Sequence, residues 1–518
     1  MEPATLAALA RPGCLPGSAA GVQRIETHIS WLFLTGDYAW TIKKPVDFGF
    51  LDFSTLALRR HFCEEELRLN RRTAPELYLQ IDTLNGSPDQ PHLNGPGPIL
   101  DYALRMRRFD PEQAFDALLA RGELGHEDID TLAGELAALH AMAAVAPACG
   151  WLGSPEQVLA PMHDNFTPLL QHLSHGPARQ QLEGLRQWTD ARAEALHELL
   201  QARLTQGWIR EGHGDAHMGN IVRYQRRTRL FDCIEFNPDL RWIDVISDLA
   251  FSFMDLLDRG APQLAWRLLD AWLTIVGDHE GLRLLPLYVV YRALVRAKVS
   301  ALRADELKQA GQTAKARIML METGAYLDLA AGWTQPMRPR LILTMGVSGS
   351  GKSHLASALL ERMGLVRLRS DVERKRLAGL AADADSQSQT GAGLYDPATT
   401  QHTYQLLLEH AETLLQAGFS VLVDATFLSR AQRAPFLELA RRLQVPGHLL
   451  CCHADPAILR ARVQRRLARG TDPSEADLQV LARQQQQREP LTPQERNQAI
   501  LVDTGLDDAL EQALAALG

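Results

Sequence analysis

LILTMGVSGSGKSHLASALLERMG, residues 341–364, decides the reading of the C-terminal third of this chain. A five-residue apolar run precedes a glycine-rich turn. A segment with helical spacing of Leu355, Leu359 and Leu360 follows and stops at Gly364. Buried strand, loop and amphipathic helix in this order place the turn at a helix N-terminus, where free backbone N–H groups and the helix dipole favour anions. GVSGSGKS, Gly346–Ser353, fits the P-loop pattern. Gly346, Gly349 and Gly351 let the backbone, with Ser348 and Ser350 between them, wrap a phosphate chain without a Cβ in the way. Lys352 would reach the outer phosphates and Ser353 would offer a hydroxyl to Mg²⁺.

Downstream, the strand-like runs VRLRS, SVLVDAT, HLLCCH and AILVDT alternate with helical stretches, which predicts a mostly parallel α/β sheet. Ligands of such sheets bind beyond the carboxyl ends of the strands. Asp371 and Arg374 follow the second run. There an Asp can accept a proton from an attacking hydroxyl and an Arg can hold an anion; capping of the next helix is the plainer role for Asp371. Asp424 ends SVLVDAT, where an acid would organise Mg²⁺ or again cap a helix. The helix after Asp455-Pro456 carries Arg462, Arg466 and Arg469 on one face, either a lid over a triphosphate or a solvated basic stripe. Ala381–Gly393 lacks apolar periodicity and reads as a loop, and Gln484–Gln487 is a polar run with no functional reading.

Upstream, Pro336 and Pro339 in TQPMRPR break the last helix of a long helical region, so the boundary between domains 1–335 and 336–518 is placed there. HGDAHMGNI, His213–Ile221, spaces Asp215 and Asn220 as D-x-x-x-x-N. LFDCIEF puts Asp232 after an apolar strand a dozen residues later. Kinase-fold chemistry needs an acid to orient an acceptor hydroxyl and an Asn and an Asp to hold Mg²⁺. Asp215 is then the base and Asn220 and Asp232 the metal ligands, with His213 bracing the loop. Nearer the N-terminus, WLFLTGDYAWTIKK reads as a hairpin about Gly36-Asp37, Leu56–Thr73 as an amphipathic helix, and the Gly-, Pro- and Asn-rich Asn85–Pro98 as loop.

The C-terminal segment resembles the P-loop predicted kinases related to bacteriophage polynucleotide kinase, on GVSGSGKS, the D-x-x-R of Asp371 and Arg374, VLVDAT and the Arg-rich lid. The N-terminal segment resembles the aminoglycoside phosphotransferase and choline kinase branch of the kinase-like fold, on HGD-x-H-x-x-N and the strand ending in Asp232. That resemblance implies that Lys43, on the second hairpin strand, faces the nucleotide phosphates and pairs with a helical glutamate. Glu66 is preferred to Glu65 because it shares a face with Phe62 and Leu69, and Lys43 is preferred to Lys44. It also implies that Asp248 braces the fold and that Ala103–Phe109 forms the hinge between lobes. Together the two segments resemble a bacterial fusion of an aminoglycoside phosphotransferase-like domain with an ATP-binding domain.

The expected fold is therefore an α+β kinase-like two-lobed domain followed by an α/β P-loop domain. The expected activity is a bifunctional phosphotransferase using ATP, with GTP also admitted, and Mg²⁺ to phosphorylate a small molecule or nucleotide in each domain. Rival readings are a non-catalytic kinase-like sensor governing the P-loop domain, a nucleic-acid end-processing kinase, and an ATPase performing conformational work. The bulk numbers fit a soluble globular chain: 518 residues, 46% hydrophobic, 22% charged, net charge −8. That charge argues against a broad duplex-binding surface and leaves nucleic acid as a partner only at the P-loop domain. Six cysteines without a framework, and a start without a basic, apolar leader, predict a reducing cytoplasmic setting. The apolar run LLPLYVVYRALVRAKV is broken by Arg292, Arg296 and Lys298 and reads as an amphipathic core helix rather than a membrane span. Oligomeric state is not legible.

Overall fold

The computed structural model describes residues 2–18, 21–49, 51–173, 175–384, 394, 396–469 and 474–518. Most of the loop expected over Ala381–Gly393, and the side chain of Arg469, lie outside the described residues. Backbone contacts divide the chain into two units: residues 1–255 with 287–330, and residues 256–286 with 331–518.

The first unit opens on an antiparallel sheet of β1 (Gln23–Glu26), β2 (Ser30–Leu34), β3 (Tyr38–Lys43), β4 (Tyr78–Ser87), β5 (Gln90–Leu93) and β6 (Ile99–Arg107), in the order β1-β2-β3-β6-β4-β5. The hairpin about Gly36-Asp37 pairs Leu34 with Ala39 and Ser30 with Lys43. Strand alternation then sorts β3. Trp40 and Ile42 enter a core with Phe33, Leu84 and Ala103, while Ala39, Thr41 and Lys43 turn to the opposite face and line a cavity. Trp40 is wholly buried and its indole N–H donates to Asp82 at 3.1 Å, so truncation there would cost about 3–5 kcal/mol. Asn85–Pro98 is not a plain loop. It contains the end of β4 and all of β5, paired from Leu84↔Leu93 to Ser87↔Gln90. Gly86 and Asn94 take positive φ of 105° and 53°, so the turn-forming residues shape a twisted hairpin instead of ending the strands.

Helix Leu56–Asn70 starts at Thr55, whose hydroxyl accepts the Leu58 N–H, and carries Glu66 on its buried face. The helical part of this unit includes His126–Met142, Pro177–Thr205, Leu285–Gln309 and Thr313–Thr334. In Leu285–Gln309 the basic residues act within the fold. Buried Arg292 donates to the Gly214 carbonyl at 2.8 Å and to the Ser247 hydroxyl at 3.0 Å. Among the described residues no helix is long and apolar enough to cross a membrane.

The second unit is built on five parallel strands in the order Val366–Arg369, Val421–Asp424, Leu341–Met345, Gly447–His453 and Ala499–Asp503. Leu341–Met345 and Val421–Asp424 are buried on both faces, which explains why they read as continuous apolar runs. Helix Lys352–Met363 covers one face through Leu355, Leu359 and Leu360 and ends at Gly364, whose φ of 69° suits glycine. Helix Pro262–Val276 belongs to this unit, and its Trp266 packs against the same core. On the far side, Arg433 is fully buried. It bonds Glu495 at 2.7 Å and donates to the carbonyls of Phe427 and Leu428.

Candidate functional sites

In the first unit a cavity of about 1120 Å³ gathers Lys43, Glu66, Asp215 and Asp232. Lys43 Nζ lies 2.7 Å from Glu66 Oε2 and also bonds Glu235. All three side chains are buried. Burial alone would lower the Lys43 pKa, but Glu235 and Glu66 outweigh it and hold the ammonium well above the ordinary lysine range. Lys44 turns outward to Glu26 at 2.7 Å. Glu65 instead pairs with Arg68 at 2.8 Å.

The HGDAHMGN loop is fixed from behind. Asp248 accepts the backbone N–H groups of His213 at 2.7 Å and Gly214 at 2.8 Å. Burial lowers the His213 pKa to about 4, so its ring is neutral. Its Nε2 meets the Phe231 carbonyl at 3.0 Å while Nδ1 accepts the Asp215 N–H at 3.3 Å, one consistent tautomer. Burial would raise the Asp215 pKa, yet the hydrogen bond and charge of His217, with His213 and Arg292, bring it below the ordinary value. Asn220 donates through Nδ2 to Asp215 Oδ2 at 2.9 Å. Its amide oxygen is the group left for a cation, although Asn220 itself is not among the cavity-lining residues.

Asp232 adopts φ of 62°, a conformation uncommon for a non-glycine residue, and its N–H donates to the Tyr78 hydroxyl at 3.0 Å. Its carboxyl is open to the cavity, but protein surrounds it. Desolvation, then the negative charges of Glu66, Glu235 and Asp215, push its pKa up to about 7. A strained acid held among other acids without a neutralising partner of its own is a donor set that fits a divalent cation. The turn between β1 and β2 also faces this cavity through Thr27 and Ile29, and Met106 to Phe109 form another wall.

In the second unit a smaller cavity, about 180 Å³, is lined by the P-loop, Asp371, Asp424, Arg462 and Arg466. Gly349 and Gly351 both have φ of 79°. A Cβ on Gly349 would lie 2.6 Å from the Leu459 carbonyl oxygen, and one on Gly351 would lie 2.8 Å from Thr504 Oγ1. The cradle therefore needs glycine twice over, for conformation and for space. Lys352 Nζ donates to the Val347 carbonyl at 3.0 Å within the loop. Burial lowers its pKa, and Asp424 partly offsets that. Ser353 opens onto the cavity at the helix N-terminus. This anion cradle, with a buried lysine, a hydroxyl and a strand-end acid, fits a magnesium-bound nucleotide.

Asp371 and Arg374 bond each other at 2.7 Å one helical turn apart, and Asp371 faces the cavity. Arg462 is tied down: it donates to the Thr504 hydroxyl at 2.9 Å and the Thr504 carbonyl at 2.7 Å. Arg466 donates to the Ala476 carbonyl at 2.6 Å. In addition, the Ser348 N–H donates to Gln484 Oε1 at 2.7 Å, so a side chain already occupies one P-loop amide. Thr504 bonds the loop through the Ser350 carbonyl at 2.8 Å.

The AAA domain family model matches residues 341–491. Across nearly the whole chain, uncharacterized proteins of Mycobacterium tuberculosis and Mycobacterium bovis are 30% identical over 465 residues, covering 89% of this chain and 89% of theirs. The chain belongs to their family. A choline/ethanolamine kinase family protein from Mesorhizobium loti shares 14% identity with a TM-score of 0.35, covering 64% of this chain and 98% of its own. A gluconokinase from Sinorhizobium meliloti shares 21% identity with a TM-score of 0.26, covering 35% of this chain and 93% of its own. The P-loop domain expected from sequence is present in this family member, joined to a separate first unit built on an antiparallel sheet.

Several residues at these sites carry no distinguishing sequence signal. Glu235 stands in LFDCIEF, three residues after Asp232, with no spacing or motif that marks it. Gln484 lies in the polar run given no role, and Thr504 follows the last strand as an unremarkable polar residue.

Proposed function

We propose that the chain is a bifunctional phosphotransferase with one nucleotide–Mg²⁺ site in residues 1–335 and another in residues 336–518, each transferring a γ-phosphoryl group to an acceptor hydroxyl. The observation that carries this reading is the first cavity, where the Lys43–Glu66 pair faces Asp215 and Asp232 across open space. In it Asp215, ionised at neutral pH, accepts the proton of the acceptor hydroxyl as its oxygen bonds to phosphorus and the β–γ bridge bond breaks, releasing the nucleoside diphosphate. Lys43 holds the phosphates, with Glu66 and Glu235 fixing its ammonium. Asp232 and the Asn220 oxygen hold Mg²⁺, which supplies neutralisation of phosphate charge.

At the second site the P-loop amides and Lys352 take the phosphates, and Ser353 and Asp424 hold Mg²⁺ or its water. Asp371 receives the acceptor proton and Arg374 positions Asp371. Arg462 and Arg466 flank the phosphates as fixed cations. ATP is the donor in this reading, and the acceptors are small molecules or nucleotides, with nucleic acid admitted only at the P-loop site. Six free cysteines are in keeping with a cytoplasmic setting.

The test is equilibrium binding of a non-hydrolysable ATP analogue with Mg²⁺ to the full chain. Two sites are expected. Lys352→Ala should remove one and Asp232→Ala should weaken the other. One site in the unmodified chain, unaffected by Asp232→Ala, would reduce the first domain to a scaffold or sensor.

A further inference from the structure

Outside the residues that line the P-loop cavity, three side chains converge from separate parts of the second unit. His279 lies just after helix Pro262–Val276, Glu373 sits on helix Ser370–Leu377, and His410 sits on helix Pro397–Gln416. One ligand atom from each lies within 4.8 Å of the other two. His279 Nε2 is 3.1 Å from Glu373 Oε1, and the two imidazole rings are 4.7 Å apart between centroids. His279 and Glu373 are nearly inaccessible to solvent, at 3% and 2% exposure.

The plainer account is a hydrogen-bonded cluster in which Arg376, which bonds Glu373 Oε1, supplies the positive charge. That account leaves polar atoms over. Glu373 Oε2 and His279 Nδ1 are buried with no hydrogen-bond partner, and an unmet buried acceptor costs about 1–3 kcal/mol. Arg376 is itself shared with the carbonyls of Leu273 at 3.1 Å and Thr274 at 2.9 Å.

We propose that His279, Glu373 and His410 form a Zn²⁺ site that pins helix Ser370–Leu377. Zn–N and Zn–O bonds of roughly 2.0–2.2 Å in a tetrahedron put ligand atoms about 3.3 Å apart. His279 Nε2 and Glu373 Oε1 stand 3.1 Å apart, close to that separation, and the His410 ligand atom, within 4.8 Å of the others, closes the set by side-chain rotation; turning Glu373 would bring its unmet Oε2 to the ion. Two imidazoles and a carboxylate suit Zn²⁺, whereas Mg²⁺ prefers oxygen donors alone, so this site is distinct in kind from a nucleotide-metal site. His410 is only partly buried, which gives the ion an entry side and leaves a fourth position for water. The helix so pinned carries Asp371 and Arg374, and a bound ion would fix the pitch of both.

The test uses the full chain carrying Cys149→Ser, because Cys149 is an exposed thiol that could take zinc by itself. The chain is stripped with chelator and reloaded with ZnCl₂ in excess Mg²⁺, and retained metal is measured by mass spectrometry. One zinc per chain is expected, with a visible Co²⁺ spectrum of four-coordinate type on substitution. His410→Ala changes the least buried ligand and Glu373→Gln keeps the volume. Each should weaken zinc binding by roughly a hundredfold or more, since even outer partners of a zinc ligand cost 10–100-fold. Circular dichroism checks that both variants fold. No retained zinc in the reloaded chain, or equal retention in folded His410→Ala, would overturn the assignment.

Discussion

Acidification from pH 8 to pH 6 should weaken Mg²⁺–nucleotide binding at the site proposed in the first unit by about tenfold, through Asp232. The reason lies in local charge. Lys43 offers one positive charge to two carboxyl groups, Glu66 and Glu235, that both bond to it, and burial pushes the Glu66 pKa up. Asp232 and Asp215 face the same cavity. Desolvation first, and these neighbours second, push the Asp232 pKa up to about 7. A carboxyl with that pKa is roughly nine-tenths ionised at pH 8 and one-tenth at pH 6, and only the ionised form binds the cation well. Asp215 is shifted downwards and stays ionised throughout, so it does not contribute to the slope. The assay is calorimetric titration of Lys352→Ala, where only the first site remains, with the analogue at saturating Mg²⁺. Asp232→Asn subtracts the nucleotide's own titration. At pH 7, repetition in buffers of different ionisation enthalpy should show about half a proton released per nucleotide bound. The linkage to folding has the opposite sense. A raised acid pKa contributes stability that is complete below the unfolded value near 4 and is lost as pH rises through about 7. The metal-free kinase-like unit should accordingly melt at lower temperature at pH 8 than at pH 6, and Mg²⁺–nucleotide should restore the difference. Because Asp232 is open to water in the cavity, solvent screening makes this stability term smaller than the full pKa difference implies. Affinity that is flat from pH 6 to pH 8, or an Asp232→Asn variant that keeps the slope, would refute the reasoning.

Asp215→Asn should lower transfer by the first domain by roughly 10²–10⁴-fold while leaving nucleotide affinity nearly unchanged, read by single-turnover kinetics beside binding; a full rate would remove Asp215 from proton transfer. Gln484→Ala should tighten nucleotide binding at the P-loop site by up to about tenfold, the worth of the one hydrogen bond that competes for the Ser348 amide. Weaker binding in that variant would make Gln484 a buttress of the loop instead. Glu495→Ala leaves the fully buried Arg433 without its carboxylate and should destabilise the second unit by about 3–5 kcal/mol. Denaturant melts that shift by less than 1 kcal/mol would show that the Phe427 and Leu428 carbonyls suffice for the guanidinium.

What was legible in the sequence follows from how each site makes its contacts. The P-loop binds through backbone amides, and the constraint on such a loop is local: Gly349 and Gly351 must take positive φ with no room for a Cβ, so the motif appears in eight consecutive letters. The parallel strands were equally visible because the central ones, Leu341–Met345 and Val421–Asp424, are buried on both faces and the runs are bounded by turns. Asn85–Pro98 misled for the complementary reason. Its glycines, prolines and asparagines mark the bends of a hairpin, and composition alone does not tell a bend inside a paired ribbon from an unpaired loop.

The first-unit cavity is lined by charged side chains assembled over long separations, and there legibility falls with the number of partners a residue must satisfy. The expectation of a lysine–glutamate pair came from the resemblance, and helical periodicity chose Glu66 for it, because Glu65 lies off the buried face with Arg68. Glu235 comes to the same ammonium from 192 residues away, and nothing in its own segment announces that destination. Yet it changes the chemistry more than the expected pair does. With Glu66 alone, Lys43 would be neutralised one to one; with Glu235 added, the cavity holds surplus negative charge beside Asp232. Glu235→Gln should therefore lower the Asp232 pKa and move the midpoint of the pH-dependent binding downward, while preserving the Lys43–Glu66 contact. An unchanged midpoint in that variant would leave desolvation, with Glu66 and Asp215, to account for the raised acid, and the affinity of the site for a cation would then owe nothing to the second glutamate.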